Sequence, residues 1–185
     1  MPTIGICVGH SRKGDSGASN TLNVSEWNFN APLASRVCEI LKDAGYDAFV
    51  VNRYEGTSYG RAMAYVASLL KAKRADVAIE LHFNSATASS TGYEFLHWHS
   101  SKRSKLLASK LHDAFAKQFP NQKSRGLKAI TPEDRGGSFL SKTHCPACIV
   151  EPFFGSNPID TDFFNSKREE LARVYAMGII SWLAI

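Results

Sequence analysis

The sequence predicts one α/β domain spanning residues 1–185, a mixed, mainly parallel twisted sheet with helices on both faces. Three observations predict it. Short apolar runs rich in β-branched residues recur at 3–8, 76–82 and 147–151, the pattern of buried strands. Between the first two of these runs the apolar spacing turns helical, then strand-like, then helical again, and such a βαβαβ order implies a largely parallel sheet with right-handed crossovers. A length of 185 residues with 44% hydrophobic content is enough for one domain with a real core.

Each element follows from local chemistry. Thr3 to Val8 is the first strand, and Gly9 to Asn23, dense in Gly, Ser, Asn and Asp, is loop. From Glu26 the residues Leu33, Val37, Ile40, Leu41 and Ala44 share one helical face, and Gly45 is placed as the C-terminal cap. Asp47 to Val51 is the second strand. Ser58 to Arg74 carries Met63, Val66, Ala67 and Leu70 at helical spacing, and Asp76 to His82 is the next strand. Gly92 to His99 alternates around Tyr93, Phe95 and Trp98, and Lys102 to Phe119 is a helix with Leu107, Leu111 and Phe115 on one stripe, stopped by Pro120. Asn121 to Thr143, with the Gly136-Gly137 pair, is expected to hold irregular strands. Ala147 to Glu151 is a buried strand, and Lys167 to Leu183 is a closing helix with Leu171, Val174, Tyr175, Ile179 and Trp182 inward. Asn157 is expected to cap it.

Composition removes several functional classes. A net charge of +5 favours an anionic polymer, and both cell-wall polymers and nucleic acids qualify. No compact Lys/Arg cluster interleaved with aromatics is present, nor any zinc-finger, KH or RNP motif, so no nucleic-acid partner is expected. The N-terminus has no basic leader and only a short apolar stretch, so synthesis in the cytoplasm without a signal peptide is expected. No apolar run reaches the roughly 18 residues of a spanning helix, so no membrane insertion is expected. The four cysteines are expected to be reduced thiols, and the chain a monomer.

The chemistry collects at strand ends. The runs finish at Gly9-His10, Leu81-His82-Phe83-Asn84 and Val150-Glu151-Pro152, and parallel α/β sheets gather ligands just beyond the carboxyl ends of their strands. Glu26, at the start of the first helix, adds a carboxylate. His10, Glu26 and His82 form a two-nitrogen, one-carboxylate set that leaves a zinc position open for water, with Glu151 as the base. Taken singly, each residue has a plainer use: a buried His as a hydrogen-bonded core residue, a Glu at a helix start as a partner of the helix dipole.

Beyond these residues, the sequence resembles the zinc-dependent N-acetylmuramoyl-L-alanine amidases of the Amidase_3 type. The resemblance runs nearly end to end, through Gly9-His10, Asp15-x-Gly17-Ala18, Glu26, Arg53, Arg61, Leu81-His82-Phe83-Asn84, Gly92 with Glu94, Arg125-Gly126-Leu127-Lys128, Val150-Glu151-Pro152-Phe153-Phe154 and Ser156-Asn157. It implies one Zn2+ per chain on His10, Glu26 and His82, a catalytic Glu151, and peptidoglycan as the partner. The implied reaction is hydrolysis of the amide between the lactyl group of N-acetylmuramic acid and the L-alanine of the stem peptide. A lytic enzyme made without an export signal would act on the wall after release, in the manner of a phage or prophage endolysin let out by a holin. Asn84, Arg125 and Lys128 are candidate substrate contacts, the latter two for stem-peptide carboxylates. The sequence departs from the family at Ser11-Arg12, where Gly-Gly usually follows the first His, and at Pro152, where Gly usually follows the catalytic Glu.

Other readings remain open at this point: another zinc peptidoglycan hydrolase, either endopeptidase or deacetylase, or a non-catalytic wall-binding module. His97 and His99 share one face of their strand and are read as a polar face or groove wall. Cys145 and Cys148 lack a matching second pair and are read as structural or incidental thiols. Arg53 and Arg61 are expected to make salt bridges that hold a helix on the sheet.

Overall fold

The computed structural model describes residues 1–185. Its elements are β1 (Thr3–Val8), β2 (Lys13–Gly14), α1 (Glu26–Asp43), β3 (Asp47–Val51), β4 (Glu55–Gly56), α2 (Tyr59–Ala72), β5 (Val77–Leu81), β6 (Tyr93–Trp98), α3 (Lys102–Gln118), β7 (Ser124–Ile130), α4 (Gly137–Lys142), β8 (Ala147–Glu151), α5 (Pro158–Asn165) and α6 (Arg168–Leu183). Six strands make one sheet in the order β3-β1-β5-β8-β6-β7, and β2 pairs with β4 in a separate two-stranded ribbon. Pairing is parallel from β3 to β8 and again between β6 and β7; only the β8–β6 junction is antiparallel. This is the mixed, mainly parallel sheet expected from the sequence.

That one reversal decides what lies at the functional edge. β1, β5 and β8 bring their carboxyl ends there, while β6 runs the other way and brings its first residues, so that Glu94 pairs directly with Glu151. Helices cover both faces. Alternation along β5 sends Val77, Ile79 and Leu81 into the core beneath α1, α3 and α6, and Ala78 into the smaller core beneath α2 and α4. The first core holds 33 buried residues and the second 14, so the second face is the thinner and leaves room for a cavity.

Four aromatic rings lock the elements that converge at this edge. Phe29 of α1 meets Phe83 and Phe153 at centroid distances of 5.9 and 5.2 Å, Phe83 meets Phe153 at 5.2 Å, and Phe153 stacks on Phe164 of α5 at 5.2 Å. Phe29 lies one turn after Glu26, Phe83 follows His82, and Phe153 is two residues past Glu151, so one apolar contact ties the three segments together. The Pro152-Phe153-Phe154 departure is therefore core, with Phe153 and Phe154 both buried.

Two expectations are corrected. Residues 121–143 hold one strand, β7, and then the helix α4, not irregular strands throughout. Gly136 takes a left-handed φ of 84° that turns the chain, and Phe139 and Leu140 bury against the α2 side, a signal too short to show periodicity. Asn157 caps α5, accepting from the Ile159 and Asp160 amides, and the closing helix starts afresh at Arg168. All four cysteines are free, and no helix is long and apolar enough to cross a membrane.

Truncating the central ring tests this packing. Phe153→Ala is expected to cost about 3–5 kcal/mol of stability, the usual loss for a fully buried Phe, read from urea unfolding of the metal-free protein.

Candidate active site

The chain leaves β1 under tight steric control. Gly9 donates its amide to the Leu81 carbonyl at 3.0 Å, and a Cβ at this position would sit 2.2 Å from Cε1 of His82. His10 then adopts a left-handed φ of 67°, which costs a non-glycine residue on the order of 1 kcal/mol and turns its imidazole back over the edge. Gly17, at φ 79°, fills the same role from the other side: a Cβ there would stand 2.6 Å from His10 and 2.9 Å from Glu26. Both glycines are thus the space into which the imidazoles fit.

Glu26 is the hub. Ser25 caps α1 by accepting from the Asn28 amide, which places Glu26 in the first turn, where the helix dipole favours a carboxylate. The side chain is buried, and burying a carboxylate is costly unless it is well partnered. Its Oε1 accepts from the Ala18 amide at 3.1 Å and lies 3.3 Å from Nε2 of His10. Its Oε2 accepts from the Phe83 amide at 3.3 Å and lies 3.0 Å from Nδ1 of His82. Burial alone would raise this carboxyl; the hydrogen bonds from the two imidazoles outweigh it and bring Glu26 down to about 2. The imidazoles respond in kind. Burial pushes each down, and hydrogen bonding to Glu26, with Glu80 added for His82, lifts both above the ordinary histidine value.

Ligand atoms of His10, Glu26 and His82 all lie within 4.8 Å of one another, and these residues form the only such cluster of three in the molecule. Two neutral imidazoles and a carboxylate suit a divalent zinc chemically, and three protein ligands leave a position open. The cluster opens into a cavity of about 440 Å³ on the thinner face, whose wall also includes Tyr59, Glu80, Asn84, Arg135 and Glu151. Glu151, at the end of β8, has its Oε2 buried with no hydrogen-bond partner. Burial foremost, with Glu94 and Glu26 nearby, raises its carboxyl to about 7 against the pull of His82 and Arg125. A carboxyl poised there can take and return a proton at neutral pH.

Comparison with known proteins gives the family and the fold. The sequence profile of the N-acetylmuramoyl-L-alanine amidases of the Amidase_3 type matches residues 4–181. The chain belongs to this family. No curated protein matches the sequence. Among solved structures, the Amidase_3 fold seen here is similar to the N-acetylmuramoyl-L-alanine amidase AmiC2 of Nostoc punctiforme, with a TM-score of 0.85 and 20% identity over 100% of this chain and 98% of that one. It is also similar to the catalytic domain of the amidase CwlV from Bacillus (Paenibacillus) polymyxa var. colistinus, with a TM-score of 0.83 and 23% identity over 100% and 99% of the two chains. The catalytic domain of the CD27L endolysin targeting Clostridia difficile gives a TM-score of 0.84 and 22% identity over 98% of each chain.

Of the sequence candidates in this Amidase_3 fold, His10, Glu26, His82, Asn84 and Glu151 line one cavity. Arg125 and Lys128 do not. Arg125 is held 2.9 Å from Glu94 and over the ring of Phe154, while Asn84 donates to the other Glu94 oxygen at 2.8 Å. This Asn84–Glu94–Arg125 chain borders Glu151 through the Glu94–Glu151 strand pairing. His97 is buried with Nδ1 3.1 Å from the Trp98 carbonyl, outside the metal-capable cluster. Arg53 and Arg61 are exposed and pin no helix to the sheet. Ser11-Arg12, the second departure, is a built loop: Ser11 donates to the Asp15 carbonyl, and Arg12 donates to that of Tyr54, next to the β2–β4 ribbon. Sequence reasoning passed over Glu80, Tyr59 and Arg135 as cavity residues. Glu80 had a usable signal, two residues before His82 in a strand and so on the same face.

The titrations predict a pH signature. The raised histidines contribute stability that is complete below about pH 6.5 and lost as pH climbs through their higher folded values, whereas Glu26, lowered to about 2, contributes stability present above about 4.5 and lost as pH falls. Thermal unfolding of the metal-free protein should therefore be most favourable to the fold between about pH 4.5 and 6.5. A zinc ion held by these residues would compete with those histidine protons, so its stabilising shift in Tm should grow as pH rises above that window. A second expectation is steric. Gly9→Ala should displace His82 and weaken zinc binding in a chelator competition, even where circular dichroism shows the fold intact.

Proposed function

We propose that this chain is a zinc-dependent N-acetylmuramoyl-L-alanine amidase that cleaves the amide between N-acetylmuramic acid and the L-alanine of the stem peptide in bacterial peptidoglycan. The observation that carries the reading is the convergence of His10, Glu26 and His82 at one mouth of a cavity walled by Glu151, in a chain of the Amidase_3 family.

His10, Glu26 and His82 would hold the metal. Zinc supplies, when bound, Lewis acidity toward the scissile carbonyl and a lowered pKa for water. Glu151 accepts the proton of the attacking water. A C–O bond forms at the lactyl carbonyl, the C–N bond breaks, and Glu151 returns the proton to the departing nitrogen, which could not leave as an amide anion. The products are the lactyl carboxylic acid and the free amino group of L-alanine. The Asn84–Glu94–Arg125 hydrogen bonds keep Glu94 engaged away from this exchange, while burial foremost, with the Glu94 charge added, keeps Glu151 high. Asn84 also stands in the cavity wall, in reach of a bound substrate.

The biological setting we propose is that of an endolysin acting on the wall after release, with a net charge of +5 that draws it to anionic wall polymers. The likeness to an endolysin catalytic domain supports this setting.

Digestion of purified sacculi tests the reaction. Free L-alanine amino groups should appear while glycan strands stay intact; cleaved crosslinks or released acetate in their place would overturn the proposal. Glu151→Gln should retain about one zinc per chain and lose lysis by at least about 100-fold, the lower range of a general acid–base contribution. His82→Ala should lose both metal and lysis. The acidic limb of kcat/KM should fall with an inflection at or below about 7, because a cation beside Glu151 favours its charged form.

A further inference from the structure

Glu80 is the most anomalous side chain of the central sheet. It is the penultimate residue of β5, between Ile79 and Leu81, and is 1% exposed. On its face the neighbouring strand residues are apolar: Cys7, Ala78, Ala147 and Ile149 all belong to the core beneath α2 and α4. No Lys or Arg pairs with it. Its one polar partner is His82, whose Nε2 lies 3.2 Å from Oε2, and its Oε1 has no partner at all. A lone buried carboxylate does nothing for this core that an apolar residue would not do better.

The two ring nitrogens of His82 face opposite ways. Nδ1 is 3.0 Å from Oε2 of Glu26, its neighbour in the metal-capable cluster, whereas Nε2 is 3.2 Å from Glu80. Glu80 itself lies outside that cluster, so it is not a fourth ligand of the same set. A neutral imidazole has one N–H and one lone pair, and an acceptor at Nε2 places the proton there and the lone pair on Nδ1. We propose that Glu80 is the positioning residue of the metal centre: it fixes the His82 tautomer and ring orientation and raises the basicity of Nδ1 toward the cation. The other imidazole has a weaker counterpart. His10 Nδ1 is 3.5 Å from Asp15, whose side chain is 47% exposed. The site is thus asymmetric, with His82 the anchored ligand and His10, on its left-handed turn, the looser one.

The proposal rests on the zinc reading above, and its test separates the two. Zinc affinity of the purified full chain is measured by competition with a chromogenic chelator for the parent, Glu80→Ala and Glu80→Gln, with circular dichroism and Tm as folding controls. Glu80→Ala should bind zinc about 10- to 100-fold more weakly, the usual effect of losing such a partner. Glu80→Gln, isosteric and still able to accept from Nε2–H, should recover part of this and lose about 3- to 10-fold, and it carries the test if the alanine variant does not fold. Nitrogen-15 NMR of the zinc-loaded parent should show His82 protonated at Nε2. Affinity within twofold of the parent in a folded variant, or an Nδ1-protonated His82, overturns the role of Glu80. A parent that binds no zinc overturns the metal reading itself, and this inference with it.

Discussion

A single carboxylate organises the functional edge of this molecule. Glu26 joins the loop after β1, the start of α1 and the two residues that follow β5, because its two oxygens are shared among two backbone amides and two imidazoles. A buried carboxylate that has four partners is stable in its charged form, and one that loses any of them is a liability. The rest of the local structure can be read as support for that arrangement. The serine cap sets the first turn of α1, Gly9 and Gly17 clear volume for the rings, and the Phe29–Phe83–Phe153 contact keeps helix and strand ends from drifting apart. Position is fixed by apolar packing, and charge is then placed on that fixed frame.

The antiparallel junction of β8 with β6 supplies what a purely parallel sheet would not. A doubly wound parallel sheet would bring only strand termini to this edge. Reversing β6 places Glu94 beside Glu151, and the adjacent β7, running the same way as β6, delivers Arg125. Glu94 is satisfied by Asn84 and Arg125, and its charge adds to the burial that raises Glu151 to about 7. Two neighbouring carboxyls thereby take opposite roles through their surroundings alone, one fully hydrogen-bonded and one with an unpaired buried oxygen. Such clustering of acids works against the fold, and a cation in the proposed metal site would offset that cost.

Much of this could be read from the chain itself. The strands ending at His10, His82 and Glu151 announced themselves because three β-branched runs stop at His or Glu in a sheet order that gathers their ends at one edge, and α1, α3 and α6 because their apolar residues keep helical spacing over four turns or more. Short elements escaped. α4 has six residues, fewer than two turns, and its Gly-Gly start reads equally well as a turn; β2 and β4 have two residues each and exist only because Lys13 finds Glu55 and Gly14 finds Gly56, far along the sequence. Arg125 shows the other limit. An exposed-looking Arg-Gly-Leu-Lys segment suggests free cations for a substrate, and nothing local reveals that Glu94, 31 residues earlier, holds the guanidinium.

Glu80 shows where a violated rule is informative. Within a fully buried parallel strand, a glutamate contradicts both strand propensity and burial preference, and such contradictions are expected where function overrides stability. The same logic explains the left-handed φ of His10, a conformation a bulky ring avoids unless its surroundings impose it. Both departures converge on the same three donors, one behind His82 and one beneath His10. An aliphatic residue at position 80 and a glycine at position 10 would serve stability better; the charge and the strained ring that stand there instead both bear on where the nitrogens of His82 and His10 point.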